Sequence, residues 1–342
     1  MNHTASTICL GLPSNRSIFF GGLQLMALMA IVLLSHSNSL FGQTTGPEKG
    51  VLFIHGGGRL NFGEFVNLAK QASGKPQPAI VIISTPQGKK RQDQIQNNVP
   101  LSLITRLKKR FKMEHVSELF TLSKAEADSD AFVKQIDDAD AVFLTGGNQS
   151  YLIDAFSGTK SLAALERLLD RGGLIGGASA GAQVQSSFMT RGGYKKRRVI
   201  LGDKEHQAGF SFVKNSAFDV HVEERNREQH LLQLFRANEK QLQDPQLNPL
   251  DLLGIGIDQS TAIVVKENQF QVTGKGQVYI FDPEKWDKDD PDSWSYQILK
   301  SGTFFDMKYR KVIEKPEPEK VELKKTPTSP KPKTAEPMKL GS

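Results

Sequence analysis

The feature of this sequence that most constrains its fold is a series of short apolar runs, most of which end in glycine or are followed within two residues by glycine or proline. Such runs, apolar throughout and separated by amphipathic helical stretches, are typical of a parallel sheet covered on both faces. The runs lie at residues 51–54, 79–85, 118–122, 141–144 and 173–177, and the helical stretches include 62–72 and 162–171. The sequence therefore predicts an α/β fold.

Three later segments, 261–265, 269–272 and 277–281, alternate apolar and polar side chains, and Gly274-Lys275-Gly276 separates the last two. This pattern predicts antiparallel strands near the C-terminal end that close a mainly parallel sheet with helices on both faces. In open α/β sheets the active site lies beyond the carboxyl ends of the strands. We therefore expect the glycine-rich strand ends at 55–58, 145–149 and 176–181 to converge there.

The two ends of the chain lie outside this pattern. Residues 1–17 are polar, 18–34 are apolar apart from Gln24 and two glycines, and a stretch of small and polar residues follows. That order predicts a signal peptide over residues 1–42, cleaved after Ser39 or Gly42, and a secreted or periplasmic protein. A retained membrane anchor is the alternative. Residues 313–342, rich in Pro, Lys and Glu, are predicted to be a disordered tail, which leaves 47–312 as the folded domain.

Composition excludes several kinds of site. The chain has a single cysteine, Cys9, so it holds neither a disulfide framework nor a zinc site of several cysteines. No metal-ligand spacing or nucleotide-binding loop is present, and we expect no metal or cofactor. The formal charge is +7, with basic runs at 106–110 and 195–198. Aromatic residues do not interleave with these runs, so we interpret them as solvated faces and expect no nucleic-acid partner.

Ser179 is the candidate nucleophile. It stands in Gly177-Ala178-Ser179-Ala180-Gly181, where an apolar strand is expected to pass into a helix. Small residues allow the tight turn, and the start of a helix favours developing negative charge. The backbone N–H of Ala180, with that of Gly147 or its neighbour Gly146, could form an oxyanion hole. A turn selected only for close packing is the alternative.

A nucleophilic serine needs a base within hydrogen-bond distance. His206, His221 and His230 follow Ser179 in the sequence, and His55 ends the first apolar run. We predict that His221 is the base, because it ends the short strand-like stretch 217–220. A strand end would bring it to the same edge of the sheet as Ser179.

Four motifs in order carry a resemblance to a known family. They are Gly-Gly-Asn-Gln at 146–149, Gly-Ala-Ser-Ala-Gly-Ala at 177–182, Asp219-x-His221 followed by Arg225-x-Arg227, and Gly-Ile-Gly-Ile-Asp-x-x-Thr-Ala at 254–262. Together, over about residues 51–265, they resemble the cyanophycinase and dipeptidase E family of serine peptidases. The resemblance implies a fold like that of the class I glutamine amidotransferases, with Ser179 as nucleophile and His221 as general base. It also implies a peptide substrate such as cyanophycin, which cyanophycinases cut into β-aspartyl-arginine dipeptides, bound by Gln149, Asp219, Arg225 and Arg227.

The chain departs from the family pattern at Val220, His230 and Gln259, where the family has glutamine, arginine and glutamate. The acid that orients His221 is left open among Glu205, Asp203 and Asp258, and Glu205 is preferred. These departures favour a second hypothesis, a degenerate member that binds a peptide or amino-acid polymer without turnover.

A third hypothesis is an esterase of the α/β-hydrolase fold, which shares Gly-x-Ser-x-Gly. That fold places its histidine far downstream, yet no histidine follows His230. Whether the protein forms a homodimer is left open.

Overall fold

The computed structural model describes residues 45–190, 201 and 204–316. The predicted signal peptide, the tail beyond residue 316, Asp203 and the basic run at 195–198 lie outside the described residues. The strands are β1 Val51–His55, β2 Ile80–Ile83, β3 Val116–Leu119, β4 Ala141–Leu144, β5 Leu174–Ala178, β6 Ser186–Met189, β7 Val213–Val220, β8 Leu253–Ile257, β9 Thr261–Lys266, β10 Gln269–Gly274, β11 Gln277–Phe281, β12 Gln297–Lys300, β13 Phe304–Asp306 and β14 Lys311–Ile313. The α-helices are α1 Phe62–Ser73, α2 Gly88–Gln96, α3 Ser102–Phe111, α4 Lys124–Ala127, α5 Asp130–Asp137, α6 Ser150–Phe156, α7 Lys160–Asp170, α8 Ala180–Gln183 and α9 His230–Phe235.

The predicted α/β class is confirmed. A nine-stranded sheet has the order β14-β13-β10-β9-β1-β5-β4-β2-β3. The five strands from β1 to β3 in this order are parallel, and β9, β10, β13 and β14 extend the sheet in antiparallel fashion beside β1. Because β5 lies between β1 and β4, the carboxyl ends of these three strands are neighbours.

A second sheet of five strands, in the order β12-β11-β8-β7-β6, is a difference from the sequence-based expectation. The segment 277–281 was expected to close the main sheet, but as β11 it pairs with β8 in the second sheet. The strand that precedes His221, β7, belongs to the second sheet too, between β6 and β8. Local alternation of side chains predicts a strand but carries no information about which sheet the strand joins.

Alternate residues of β1 face opposite sides of the main sheet, as strand geometry requires. Val51 and Phe53 pack into a core with α1 and α3. Leu52 and Ile54 pack into a second core, which contains α5–α7 and Val220 and Ile255 of the second sheet. The two sheets are therefore joined by one continuous hydrophobic core. Among the described residues, none of the helices combines the length and the apolar character that a membrane span needs.

Candidate active site

Ser179 lies at a sharp turn between β5 and α8. Its backbone has φ 54° and ψ −111°, a conformation that non-glycine residues rarely adopt. β1 holds the turn in place, because the Ser179 N–H donates to the carbonyl of His55 on β1 at 3.0 Å. A Cβ at Gly181 would overlap the backbone of Leu144 on β4, so the turn requires glycine at that position. Strain of this kind is typical of functional sites, where the surrounding structure holds it in place.

The imidazole of His221 reaches Ser179 directly. The distance from Ser179 Oγ to His221 Nε2 is 2.8 Å. His221 follows β7 with a positive φ of 56°, and its N–H donates to the carbonyl of Gly56 at 3.2 Å. The two side chains therefore meet at the junction of the two sheets. The predicted pair comes together, although its histidine comes from a different sheet.

Gly57 is the glycine on which this contact depends. Its φ is +106°, and a Cβ there would overlap the Cε1 atom of the His221 ring. The carboxyl end of β1 thus supplies a surface without a side chain against which the imidazole packs.

Burial controls the charge of His221. Burial first, and then the positive charges of Arg225 and Arg227, lower the pKa of the imidazole to about 4, although the charge of Asp219 acts in the opposite direction. The ring is therefore neutral at neutral pH, and its Nε2 can accept the proton of Ser179. A general base needs this protonation state.

A second buried histidine, His55, lies beside this pair. Burial and the neighbouring His221 lower its pKa to about 4. Its Nδ1 accepts a hydrogen bond from the N–H of Gly57 at 3.0 Å, which leaves the proton of the neutral ring on Nε2. His55 is therefore a neutral ring, fixed in orientation and buried next to His221.

The third member of a triad is not brought to His221 by the described residues. The buried Nδ1 atom of His221 has no hydrogen-bond partner among them. Glu205 is exposed in a short turn of 3-10 helix, Lys204–His206. Asp258 is buried and accepts bonds from the N–H groups of Glu223 and Gln277 at 3.0 and 2.9 Å. Asp203 lies outside the described residues. The choice of Glu205 stays a prediction.

One predicted oxyanion donor, Ala180, directly follows Ser179, and the other, Gly147, belongs to a segment that approaches Ser179 through Gly146. Ala180 is the first residue of α8, so its N–H has no acceptor within the helix. On the other side, a Cβ at Gly146 would be 3.4 Å from the Cβ of Ser179, which brings the Gly146-Gly147 backbone alongside the nucleophile. The N–H groups of Ala180 and Gly147 remain the predicted oxyanion hole.

Most of the predicted substrate-binding residues are engaged inside the protein. Asp219 is 1% exposed, and its Oδ1 accepts from Arg227 Nη1 at 3.0 Å while its Oδ2 lies 3.0 Å from His230 Nδ1. The buried Gln149 donates from Nε2 to the carbonyl of Thr190 at 3.3 Å. By contrast, Arg225 is exposed, and its N–H donates to the carbonyl of His221 at 3.2 Å. Of the four, Arg225 alone has an exposed side chain.

Asp219 is ionised in this setting. Burial by itself would raise its pKa, but the hydrogen bond with His230 and the charge of Arg227 outweigh that effect and lower the pKa below its usual range. Thr190 adds a bond from Oγ1 to Asp219 Oδ1 at 3.0 Å. Asp219, two residues before His221, therefore forms a buried ion pair with Arg227. The departure at His230 is part of the same network.

A cleft of about 420 Å³ opens at Ser179. All three predicted strand ends line it, through Gly57, Gly146 and Ser179. Arg59 and Arg106 line it as well, and sequence analysis missed both. The position of Arg59 directly after the glycines that end β1 was a usable signal, since such strand ends form the site. Arg106 was interpreted as part of a solvated face.

Comparison with known proteins identifies a peptidase family. Residues 100–273 match the model of peptidase family S51. Cyanophycinases from Nostoc sp. (strain PCC 7120) and Trichormus variabilis are each 30% identical to this chain over 172 residues, which is 50% of this chain and 54% of theirs. The chain thus spans about half the length of the curated relatives that it matches.

A solved peptidase from an acI-B1 actinobacterium has a similar fold. Its structure covers 78% of this chain and the whole of its own, with a TM-score of 0.54 and 24% sequence identity. At that identity the likeness is informative about the fold alone.

Proposed function

Because this chain belongs to peptidase family S51, we propose that it is a serine-type peptidase that hydrolyses aspartyl peptides through an acyl-enzyme on Ser179. The observation that carries the proposal is the 2.8 Å contact between Ser179 Oγ and His221 Nε2. A neutral imidazole at that distance is what a serine nucleophile needs in order to lose its proton during attack.

The proposed reaction has two halves. The Oγ atom of Ser179 attacks the scissile carbonyl while Nε2 of His221 takes the proton, and the N–H groups of Ala180 and Gly147 stabilise the oxyanion. The imidazolium then gives its proton to the leaving amine. A water molecule activated by the same ring attacks the acyl-enzyme and releases Ser179.

The matched relatives suggest the substrate class. They are cyanophycinases, so we propose an aspartyl peptide, with a β-aspartyl-arginine unit as one form to test. We further propose that the enzyme acts in a secreted or periplasmic compartment, on the basis of the order of polar and apolar segments in residues 1–42.

The test is a comparison of variants on a panel of α- and β-aspartyl peptides and cyanophycin, with products identified by mass spectrometry. Ser179→Ala and His221→Ala should each lower kcat/KM by roughly a thousandfold or more. Ser117→Ala and His115→Ala are matched controls, since both residues are exposed at the start of β3, at the opposite ends of the strands. Hydrolysis that survives Ser179→Ala would contradict the mechanism.

One observation favours a second function. The buried Nδ1 of His221 has no partner among the described residues, and a histidine without an orienting acid is a weaker base. A family member that binds its peptide without turnover is expected to have this feature. Stable binding by the wild-type protein, with no product from any peptide of the panel, would favour this function over catalysis.

A further inference from the structure

A second cavity adjoins the cleft at Ser179. This cavity has a volume of about 700 Å³, and Arg59, Leu60, Phe62 and Arg106 line both it and the cleft. A peptide bound with its scissile carbonyl at Ser179 would therefore extend into this second cavity on one side of the reacting bond.

The walls of the second cavity carry one sign of charge. Arg59 comes from the loop after β1, Arg106 and Arg110 from α3, and Lys275 from the turn after β10. None of the residues that line either cavity is Asp or Glu. A cleft lined by one sign of charge concentrates ligands of the opposite sign.

These cations are available to a ligand. Within the described part of the chain, none of them forms a salt bridge with a carboxylate. A carboxylate does touch the wall, since Asn61 Nδ2 lies 3.4 Å from Glu64 Oε2, but Glu64 itself does not line the cavity. The excess of positive charge is therefore not neutralised within the wall.

The geometry of α3 aims two of the arginines at the cavity. Arg106 and Arg110 are four residues apart, so they share one face of the helix. The guanidinium carbon of Arg106 lies 5.8 Å from the centre of the Phe62 ring, a cation–π distance that holds it over the cavity wall. Lys108 and Lys109, between them on the same helix, are exposed and do not line either cavity.

A neutral donor completes the cleft. Thr145 at the end of β4 lines it and is 5% exposed. Its Oγ1 atom is buried and has no hydrogen-bond partner among the described residues. A buried hydroxyl of this kind is expected to be satisfied by a bound group.

We propose that the cavity beyond Ser179 binds a run of carboxylates, so that the preferred substrate is a polyacidic peptide with several acidic side chains on one side of the scissile bond. The inference rests on the proposed function and specifies its substrate. Guanidinium groups bind carboxylates through paired hydrogen bonds, and a wall of four cations suits consecutive acidic residues. A substrate segment that carries arginine side chains would be repelled by the four cations of the second cavity.

Binding is measured first, on the non-hydrolysing Ser179→Ala protein, by calorimetry at about 50 mM salt with hexa-aspartate, hexa-serine and β-aspartyl-arginine. Hexa-aspartate should bind tightest. The double variant Arg106→Gln/Arg110→Gln should weaken the binding of hexa-aspartate about tenfold, as expected for the loss of two partly solvated ion pairs. Lys108→Gln with Lys109→Gln removes the same charge from the same helix and should change binding less than twofold.

The competing outcomes are distinct. Equal binding of hexa-serine and hexa-aspartate, or equal losses in the two double variants, would overturn the inference. Arg59→Gln provides a second variant on a different element, and it should weaken hexa-aspartate as well.

Hydrolysis by the wild-type protein then separates the two proposals. Acidic binding without hydrolysis leaves the inference standing while the peptidase proposal fails. Hydrolysis without a preference for acidic peptides would support the peptidase proposal and overturn the inference of a polyacidic substrate.

Discussion

At the scale of single residues, the site depends on two unusual backbone conformations. Ser179 and His221 both have positive φ values, 54° and 56°. Each such residue costs of order 1–3 kcal/mol and persists because neighbouring structure holds it. Here the holders are carbonyl groups of β1 and of the residue after it, since His55 accepts from the N–H of Ser179 and Gly56 from that of His221. The end of β1 thus positions both Ser179 and His221.

Gly57→Ala tests this dependence. The added methyl group would overlap the His221 ring, so we expect kcat/KM to fall by about a hundredfold or more, consistent with a displacement of about 1 Å at a catalytic group. Gly302→Ala is a matched control, because Gly302 has a φ of +90° with nothing within 4 Å of its added Cβ. Both variants should lose some stability in thermal unfolding, and only Gly57→Ala should lose activity. Equal activity in the two would show that His221 does not need this surface.

Sequence reasoning selected Ser179 and His221, which the fold brings into contact, because the signals of both residues are local. Ser179 stands in a turn motif, and His221 stands at a strand end. The partner of His221 Nδ1 depends on which side chain the tertiary structure delivers, and no spacing encodes that. Likewise, Asp219 and Arg227 were expected to bind substrate, whereas the fold pairs them with each other. A sequence motif indicates that its residues lie close together, but it does not show whether their side chains face the cleft or the interior of the protein.

At the scale of secondary structure, Asp219 connects three elements. Its carboxylate lies on β7 and accepts from Thr190 just after β6, and it also contacts Arg227 and His230 at the start of α9. A buried carboxylate with these partners fixes α9 against the second sheet and so fixes the chain on which His221 stands.

Asp219→Asn should therefore act on stability. Removing one charge of a buried pair leaves the guanidinium of Arg227 uncompensated, and such changes cost about 3–5 kcal/mol. We expect the free energy of unfolding, measured with urea, to fall by about that amount. Asp289→Asn, on an exposed residue, serves as the control. If Asp219→Asn instead leaves stability unchanged and raises KM, the side chain binds substrate as the resemblance implied.

The strands themselves were largely predictable, and their partners were not. The apolar runs correspond to β1, β2, β4 and β5 within two residues at either end. β11 was also recognised as a strand, but it lies in the second sheet. Runs that are apolar on both faces indicate a central strand of a covered sheet, whereas an alternating strand suits an antiparallel partner in either sheet.

At the scale of the whole molecule, two buried neutral histidines couple stability to pH. His55 and His221 have pKa values of about 4 in the folded protein, against 6.5 for an unperturbed histidine. Between pH 6.5 and 4 the unfolded chain binds more protons than the folded chain, so the free energy of unfolding falls as the pH is lowered through this window. Above pH 6.5 these two groups contribute no further change.

We expect each histidine to account for up to about 3 kcal/mol of this loss, and the pair for less than the sum because the two rings interact. Urea unfolding between pH 7 and pH 4.5 measures the slope. His55→Asn should flatten it, whatever its effect on stability at pH 7, while His115→Asn, on an exposed residue, should leave it unchanged. An unaltered slope in His55→Asn would mean that folding does not lower the pKa of His55.

The junction of the two sheets has a consequence for the newly made chain. Ser179 precedes His221 by 42 residues in the sequence. The end of β1 that positions both residues is itself held by Thr261, whose carbonyl accepts from the N–H of Gly56 at 2.9 Å. A ribosome must therefore have delivered most of the domain before Ser179 meets its proton acceptor. If Ser179 and His221 act as proposed, we expect a partly synthesised chain to have no peptidase activity until the second sheet is in place.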